Sequence, residues 1–350
     1  MIRAAKDSGA DCVKFQKSNL TEKFTRSALD KPYMSSNSFG PTYGEHKAFL
    51  EFSPDEYQTL KEFCQNEVMI AMTASAMDMT SVDFLVQLGV PFIKIGSGDS
   101  NNMLMLEKVA KMKEVVTVIS TGMSDMCQVQ KIHNLFKESR NLNNFVLLHC
   151  TSAYPTESKD VNLRVLDSYK QHFPDIWIGY SGHEIGYVPT LGAVAKGAKV
   201  IERHFTLDKT WKGSDHSCSL NPTEFKQMVR DIRHLEQALG SSRKTFLDCE
   251  KPCFAKLGKS VVAATSLVKG HKLDMDSLKI KVSEPHSWPA SQIDDLIGKI
   301  LAQDLNADDI IDESVLEWFC KAYDNWVFLK KCITNLNRSG LSFFKIHRVW

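Results

Sequence analysis

The sequence predicts an α/β fold, a (β/α)8 TIM barrel followed by a small β-rich domain. Three observations point there. From residue 12 to residue 205, seven short apolar runs alternate with stretches of helical length. Each run is apolar almost throughout, as parallel strands covered on both faces are. Charged and hydroxyl side chains gather at the C-terminal ends of these runs, the face on which such barrels carry their chemistry. A doubly wound open sheet is the rival, but it would bring a Gly-rich phosphate or dinucleotide turn. GSGD (96–99) is too short for either.

In chain order, residues 1–10 read as the end of an amphipathic helix closed by Gly9, and CVKFQ (12–16) as a strand. Residues 17–50 form a long polar loop with Pro32 and Pro41 and the cations Lys17, Lys23, Arg26, Lys31 and Lys47. A loop of that length inside a compact domain tends to be functional. Ser53 and Pro54 open a helix over 54–67, and a strand follows at 69–75. Helix and strand then recur at 79–88 and 92–98, 102–112 and 115–121, 124–138 and 145–151, 161–172 and 176–182, and 189–198 and 199–205. A last helix occupies 222–239 and ends at Gly240.

That makes seven strands, where a closed barrel has eight, and the chain starts inside a helix that should follow the first. The expectation is a barrel over 1–240 with its first strand missing. Residues 241–256 read as a linker and 257–317 as a compact module of short apolar pieces between turn signals. Residues 318–350 hold eight aromatics and a net charge of +5 without clear period, and read as an atypical tail.

Composition excludes several function classes. With 43 basic and 42 acidic residues the net charge is +1, so no overall field favours nucleic acid or an acidic membrane. Nine cysteines occur without a CxxC pair, a pattern expected of reduced thiols in the cytoplasm. No run approaches the ~18 apolar residues of a membrane span.

The chemistry concentrates in residues 179–217. The runs at 176–182 and 199–205 flank an Ala- and Gly-rich helical stretch, a βαβ unit whose strands are parallel neighbours. His183 and His204 therefore leave the same edge of the sheet, placed to share a divalent cation. Glu184, Glu202, Asp208, Asp215 and His216 crowd that edge.

The motifs KFQKS (14–18), FIKIGSGD (92–99), STGM (120–123), LHCTSAYP (148–155), NLRV (162–165), GYSGHE (179–184), ERHFTLDKTWKGSDHS (202–217) and LGKSVVA (257–263) occur in order over residues 1–317. Together they resemble the sialic acid synthase family, its animal-type branch in particular. The second module resembles the antifreeze-like (SAF) domain that ends those enzymes.

The resemblance implies a transferase that condenses phosphoenolpyruvate with N-acetylmannosamine, or its 6-phosphate, and releases phosphate. It implies that His183 and His204 hold a divalent metal such as Mn2+ or Mg2+. Lys14, Thr73, Lys94, Ser97, Ser120 and Ser181 match positions that bind phosphoenolpyruvate, with Ser152 where the family often has Asn. Gln16, Asp99, Tyr154 and Asp215 match positions that hold the open-chain sugar, with Asp99 and Asp215 as proton carriers or hydroxyl clamps.

It also implies a domain-swapped homodimer, with Lys259 where relatives use an Arg that reaches the neighbouring site. For a phosphorylated sugar, Lys23, Arg26 or Lys31 of the long loop are the expected phosphate ligands. The family's E-I-G-x-N-H-like first strand has no counterpart in this sequence. The rival readings are a synthase for another nine-carbon sugar, and a truncated inactive isoform that only binds sugar or dimerises.

Overall fold

Seven parallel strands form one sheet in sequence order: β1 (Cys12–Lys17), β2 (Ala71–Ala76), β3 (Phe92–Ile95), β4 (Val116–Ser120), β5 (Phe145–Cys150), β6 (Trp177–Gly182) and β7 (Ile201–Arg203). This is the architecture of the computed structural model, which describes residues 1–317. The chain divides into two units between Ser241 and Ser242.

Helices join the strands. They are α1 (Ile2–Asp7), α2 (Leu20–Lys23), α3 (Arg26–Leu29), α4 (Tyr43–Leu50), α5 (Pro54–Glu62), α6 (Met79–Leu88), α7 (Met103–Ala110), α8 (Met126–Glu138), α9 (Val165–His172), α10 (Val188–Ala195) and α11 (Pro222–Leu239). The sheet curls far enough that α1, before β1, packs against α11, after β7, and Ser8 Oγ donates to the Pro222 carbonyl at 3.1 Å.

β1 and β7 are nonetheless not hydrogen-bonded to each other among the described residues. A cavity of about 640 Å3 lies between them, lined by Val13, Phe15, Val200, Ile201 and Met228 among others. The sheet is thus a barrel-like half-cylinder of seven strands, as the strand count in the sequence implies.

Registered partners in a parallel pair share a face, so the pairings Lys14 with Thr73, Ser75 with Lys94, Cys150 with Ser181 and Ser181 with Glu202 line one inner wall. Lower on that wall, Val118, Val146 and Leu148 pack with Phe92, Val116 and Val200 as an apolar plug. Polar groups occupy only the C-terminal rim above it. The larger core lies outside the sheet, where Ile93, Ile95, Ile119 and Leu147 meet Leu85, Leu106, Ile132 and Phe136 of the helices.

Local signals explain the helix limits. α6 starts at Asp78, whose Oδ1 accepts from Ser81 N at 2.7 Å, and stops at Gly89 with φ +70°. α11 starts with an Asn221–Glu224 capping box and Pro222 in its first turn. Three segments differ from expectation. The helix expected over 54–67 keeps its α form only to Glu62, and a π turn then carries Phe63–Val68 to Met69 at φ 57°. The long loop holds the short helices α2, α3 and α4. The expected linker contains α12 (Lys251–Leu257), which opens with Pro252 in its first turn.

In the second unit β8 (Lys259–Ala263) pairs antiparallel with β9 (Leu278–Val282). Isolated bridges such as Val262–Ile310 and Leu267–Leu305 complete it around Val261, Leu273, Leu296, Leu301 and Ile311. No helix among the described residues is long and apolar enough to cross a membrane. The seven described cysteines are free thiols. The reading of 318–350 as an atypical tail lies outside the described residues.

Asp78 also fastens the long loop, because its Oδ2 accepts from Asn19 N at 2.6 Å while the side chain is 2 % exposed. Asp78→Ala orphans two backbone donors at once. It is expected to cost about 2 kcal/mol or more, read as a lowered midpoint in urea.

Candidate active site

The rim of the sheet divides into a cationic pocket and a histidine pair. In the pocket, Lys94 on β3 is 2 % exposed, and its Nζ donates to Ser120 Oγ at 2.7 Å and to the Ile95 carbonyl at 2.9 Å. Burial pushes its ammonium down to about 8, with Glu202 pulling the other way. Lys14 on β1 donates to Ser75 Oγ at 3.1 Å. Glu202 on β7 lies between the two lysines in charge: its carboxylate is 3.8 Å from Lys94 Nζ and accepts from Ser181 Oγ at 3.0 Å. Burial pushes the Glu202 carboxyl up, yet Lys14 and Lys94 outweigh it and hold it down to about 2.

The pocket has an unfilled side. Ser152 Oγ is buried and has no hydrogen-bond partner. Gly122 N donates to Ser97 Oγ at 3.0 Å, and a Cβ at Gly122 would meet Ser152 Oγ at 2.2 Å and Ser97 Oγ at 2.7 Å. Glycine is what lets the backbone approach these hydroxyls. Two ammonium groups, one carboxylate and several hydroxyls leave a net positive charge, the composition of a site for a small anion rich in oxygen.

His183 and His204 directly follow β6 and β7, with ring centroids 5.0 Å apart and planes at 88°. His183 Nδ1 donates to the Thr151 carbonyl at 3.0 Å, and His204 Nδ1 faces Asp215 Oδ2 at 3.4 Å. His183 therefore commits Nδ1–H and keeps Nε2 as the lone-pair nitrogen, the arrangement of a metal-ligating imidazole, and the Asp215 carboxylate facing His204 Nδ1 favours the same tautomer there. The His204 hydrogen bond holds the Asp215 carboxyl down to about 2. Among the described residues no cluster of three or more His, Cys, Asp or Glu side chains converges to enclose a cation. The pair alone suits a divalent ion that keeps positions open for substrate oxygens.

Tyr154 covers both rings, its centroid 4.3 Å from His183 and 5.8 Å from His204. Cys150 Sγ joins the two halves, 3.8 Å from His183 Nδ1 and 3.3 Å from Ser97 Oγ. At the far side Asp99, raised by burial against the pull of Lys23, holds Lys23 Nζ at 3.2 Å from each carboxylate oxygen.

The structure thus brings together Lys14, Lys94, Ser97, Asp99, Ser120, Ser152, Tyr154, Ser181, His183, His204 and Asp215. Thr73 sits on the same wall, but its hydroxyl donates to the Phe92 carbonyl, and Ser75 two residues on is the one beside Lys14. Gln16 is exposed at the β1 rim, and Lys259 belongs to the second unit. Ser75, Cys150, Glu202 and the Gly122 N–H are site groups that the motifs left without a role. Alternation along β2, β5 and β7 was the signal available for the first three.

Behind the histidines lies a fully buried ion pair. The Arg203 and Glu184 side chains are 0 % and 2 % exposed, and Arg203 Nη1 contacts Glu184 Oε1. Arg203 also donates to the Glu184 carbonyl at 2.6 Å and to Thr190 Oγ1 at 2.9 Å, and Tyr180 OH donates to Glu184 Oε2 at 2.7 Å.

A curled parallel sheet with an anion pocket and two open-faced histidines on its C-terminal rim defines a class, and the comparisons agree: the chain belongs to the NeuB family, whose model matches residues 1–244. The SAF domain model matches residues 258–317. The chain is 53% identical to the human N-acetylneuraminate-9-phosphate synthase over 318 residues, covering 91% of this chain and 87% of that one. Identity to the Drosophila melanogaster protein of the same name is 46% over 340 residues, covering 90% and 91%. Among solved structures, the N-acetylneuraminic acid synthetase of Leptospira borgpetersenii superposes with a TM-score of 0.63 at 30% identity, covering 73% of this chain and 83% of that one.

Glu184→Ala would strand a buried guanidinium and is expected to cost about 3–5 kcal/mol. The double change Glu184→Leu with Arg203→Met should recover much of that loss in the same urea titration.

Proposed function

We propose that this chain is a sialic acid synthase, condensing phosphoenolpyruvate with N-acetylmannosamine 6-phosphate, or N-acetylmannosamine, into the nine-carbon acid or its 9-phosphate, with release of inorganic phosphate. The observation that carries the reading is the meeting of a two-lysine, hydroxyl-lined pocket with the His183–His204 pair across Cys150. One half suits a small polyanion, the other an aldehyde oxygen.

In this reading Lys14 and Lys94 bind the phosphate and carboxylate of phosphoenolpyruvate, and Ser97, oriented by the Gly122 N–H, completes its hydrogen bonds with Ser120 and Ser152. Glu202 fixes both ammonium groups so that they do not reorganise when charge develops. His183 and His204 would hold a divalent cation through Nε2, which when bound supplies Lewis-acid polarisation of the sugar carbonyl. C3 of phosphoenolpyruvate attacks the aldehyde carbon, leaving C2 electron-poor. Water adds at C2, and the C2–O bond to phosphate breaks, so the phosphoryl oxygen leaves with inorganic phosphate. Asp215, ionised, accepts hydrogen bonds from sugar hydroxyls. Asp99, its carboxyl raised by burial against the pull of Lys23, is the hydroxyl clamp or proton carrier on the far side.

A domain-swapped homodimer with Lys259 reaching a partner's site, and a cytoplasmic location, belong to the same proposal.

The test is release of inorganic phosphate from phosphoenolpyruvate, dependent on a divalent cation and on the sugar. His183→Ala should lower it about a hundredfold or more, and chelation should abolish it until metal returns. Release that survives in the variant at full rate overturns the reading. A second outcome concerns pH. The Lys94 ammonium is charged below about 8 and lost above it, so kcat/KM for phosphoenolpyruvate should fall as pH rises beyond that value. Lys94→Met should flatten that limb.

A further inference from the structure

Two loops overhang the rim, residues 18–52 after β1 and 205–220 after β7, and they touch. Gly213 N donates to Asn37 Oδ1 at 3.2 Å, and Lys212 Nζ stands 4.7 Å above the Phe39 ring. The first loop is organised around His46, 8 % exposed, which stacks on Phe39 at 5.9 Å and lies 4.7 Å from the Tyr33 ring. His46 Nδ1 accepts from Phe39 N at 3.2 Å. Burial, Lys47 and Lys212 keep its pKa low, so it stays neutral with both ammonium groups close by. Lys47 Nζ lies 5.5 Å from the Tyr43 ring centroid.

The cations of these loops are unequal. Lys17, Lys23, Arg26 and Lys209 spend their charge on Glu51, Asp99, Asp30 and Glu224. Among the described residues Lys47 and Lys212 form no ion pair; each is held over an aromatic ring instead, which positions an ammonium without neutralising it. Lys31 also lacks a carboxylate partner, and its backbone carbonyl accepts from Tyr43 N at 2.9 Å, but among the described residues its ammonium is held over no ring. Of the cations expected to meet a phosphate, Lys23, Arg26 or Lys31, two already have carboxylate partners: Lys23 serves Asp99, and Arg26, 95% exposed, pairs with Asp30.

The pad adjoins the site from both sides. Phe24, next to Lys23, meets Tyr43 edge-on at 5.5 Å. Asp215, beside His204, is two residues from Gly213. A sugar whose aldehyde sits at His183 and His204 would extend its other end outward between these loops.

We propose that Lys47 and Lys212 bind the terminal phosphate of a phosphorylated sugar substrate and set the preference for it over the free sugar. The inference rests on the synthase reading. Ammonium groups suit a phosphate as point charges with rotatable donors, and a site made where two loops meet forms only when both are in place.

The experiment compares kcat/KM for N-acetylmannosamine 6-phosphate with that for N-acetylmannosamine, in the unmodified chain and in the Lys47→Ala/Lys212→Ala double variant. The ratio of the two should drop about tenfold or more, mostly through KM of the phosphorylated sugar. A Lys47→Arg/Lys212→Arg variant should keep most of the ratio, which a merely structural role would not require. A ratio near one in the unmodified chain, or one that the alanines leave unmoved, overturns the proposal. No phosphate release from the unmodified chain with either sugar refutes the synthase reading itself and this inference with it. Circular dichroism of the double variant excludes misfolding as the cause of a lost ratio.

Discussion

The Glu184–Arg203 pair is the constraint on which the site depends. Glu184 follows His183 and Arg203 precedes His204, so the ion pair joins the backbones of the two residues that present the imidazoles. A buried pair of this kind adds little net stability over a packed apolar one, since desolvation offsets most of its Coulomb gain. What it fixes is geometry. Arg203 holds both the carboxylate and the carbonyl of Glu184, so β6 and β7 cannot slide past one another without unpairing a buried charge. β7 is only three residues long, and this pair supplies the fixity that a short ladder does not.

The same economy of charge governs the pocket. Two ammonium groups that face one cavity repel, and burial makes each harder to keep protonated. Glu202 resolves that conflict by lying against Lys94 and feeling Lys14, with Ser181 anchoring its other oxygen. The result is a pocket that is cationic but not self-repelling, set above an apolar plug that keeps the polar groups at one end.

Much of the fold was legible in the sequence because capping residues and strand composition agree. α6 and α11 fall where Asp78, Gly89, Asn221 and Gly240 put their ends, and the strands fall on the apolar runs, with β1 and β2 each reaching one residue further. The long loop was not legible as helices. α2 and α3 are four residues each, too short to form from propensity, and hold through the Asn19 and Thr25 caps and contacts to α4 and α6. The histidine pair followed from strand order alone. Ser75 did not separate from Thr73, because both face inward and only the pairing with β3 shows which hydroxyl is already spent on Phe92. Glu202 stood in the sequence two residues before His204, on the same face, but its partners come from β1 and β3, far away in the chain.

The hydrogen bond from His183 Nδ1 to the Thr151 carbonyl has a further meaning. It decides the tautomer when the chain folds, so the ring presents one basic nitrogen and one only. An imidazole free to rotate would divide its time between two nitrogens and lose entropy on meeting a ligand. Here that loss is already incurred in folding, and the ring is a regiochemically committed nucleophile: an electrophile or a cation arriving at the rim finds Nε2, with no ring flip standing between encounter and bond.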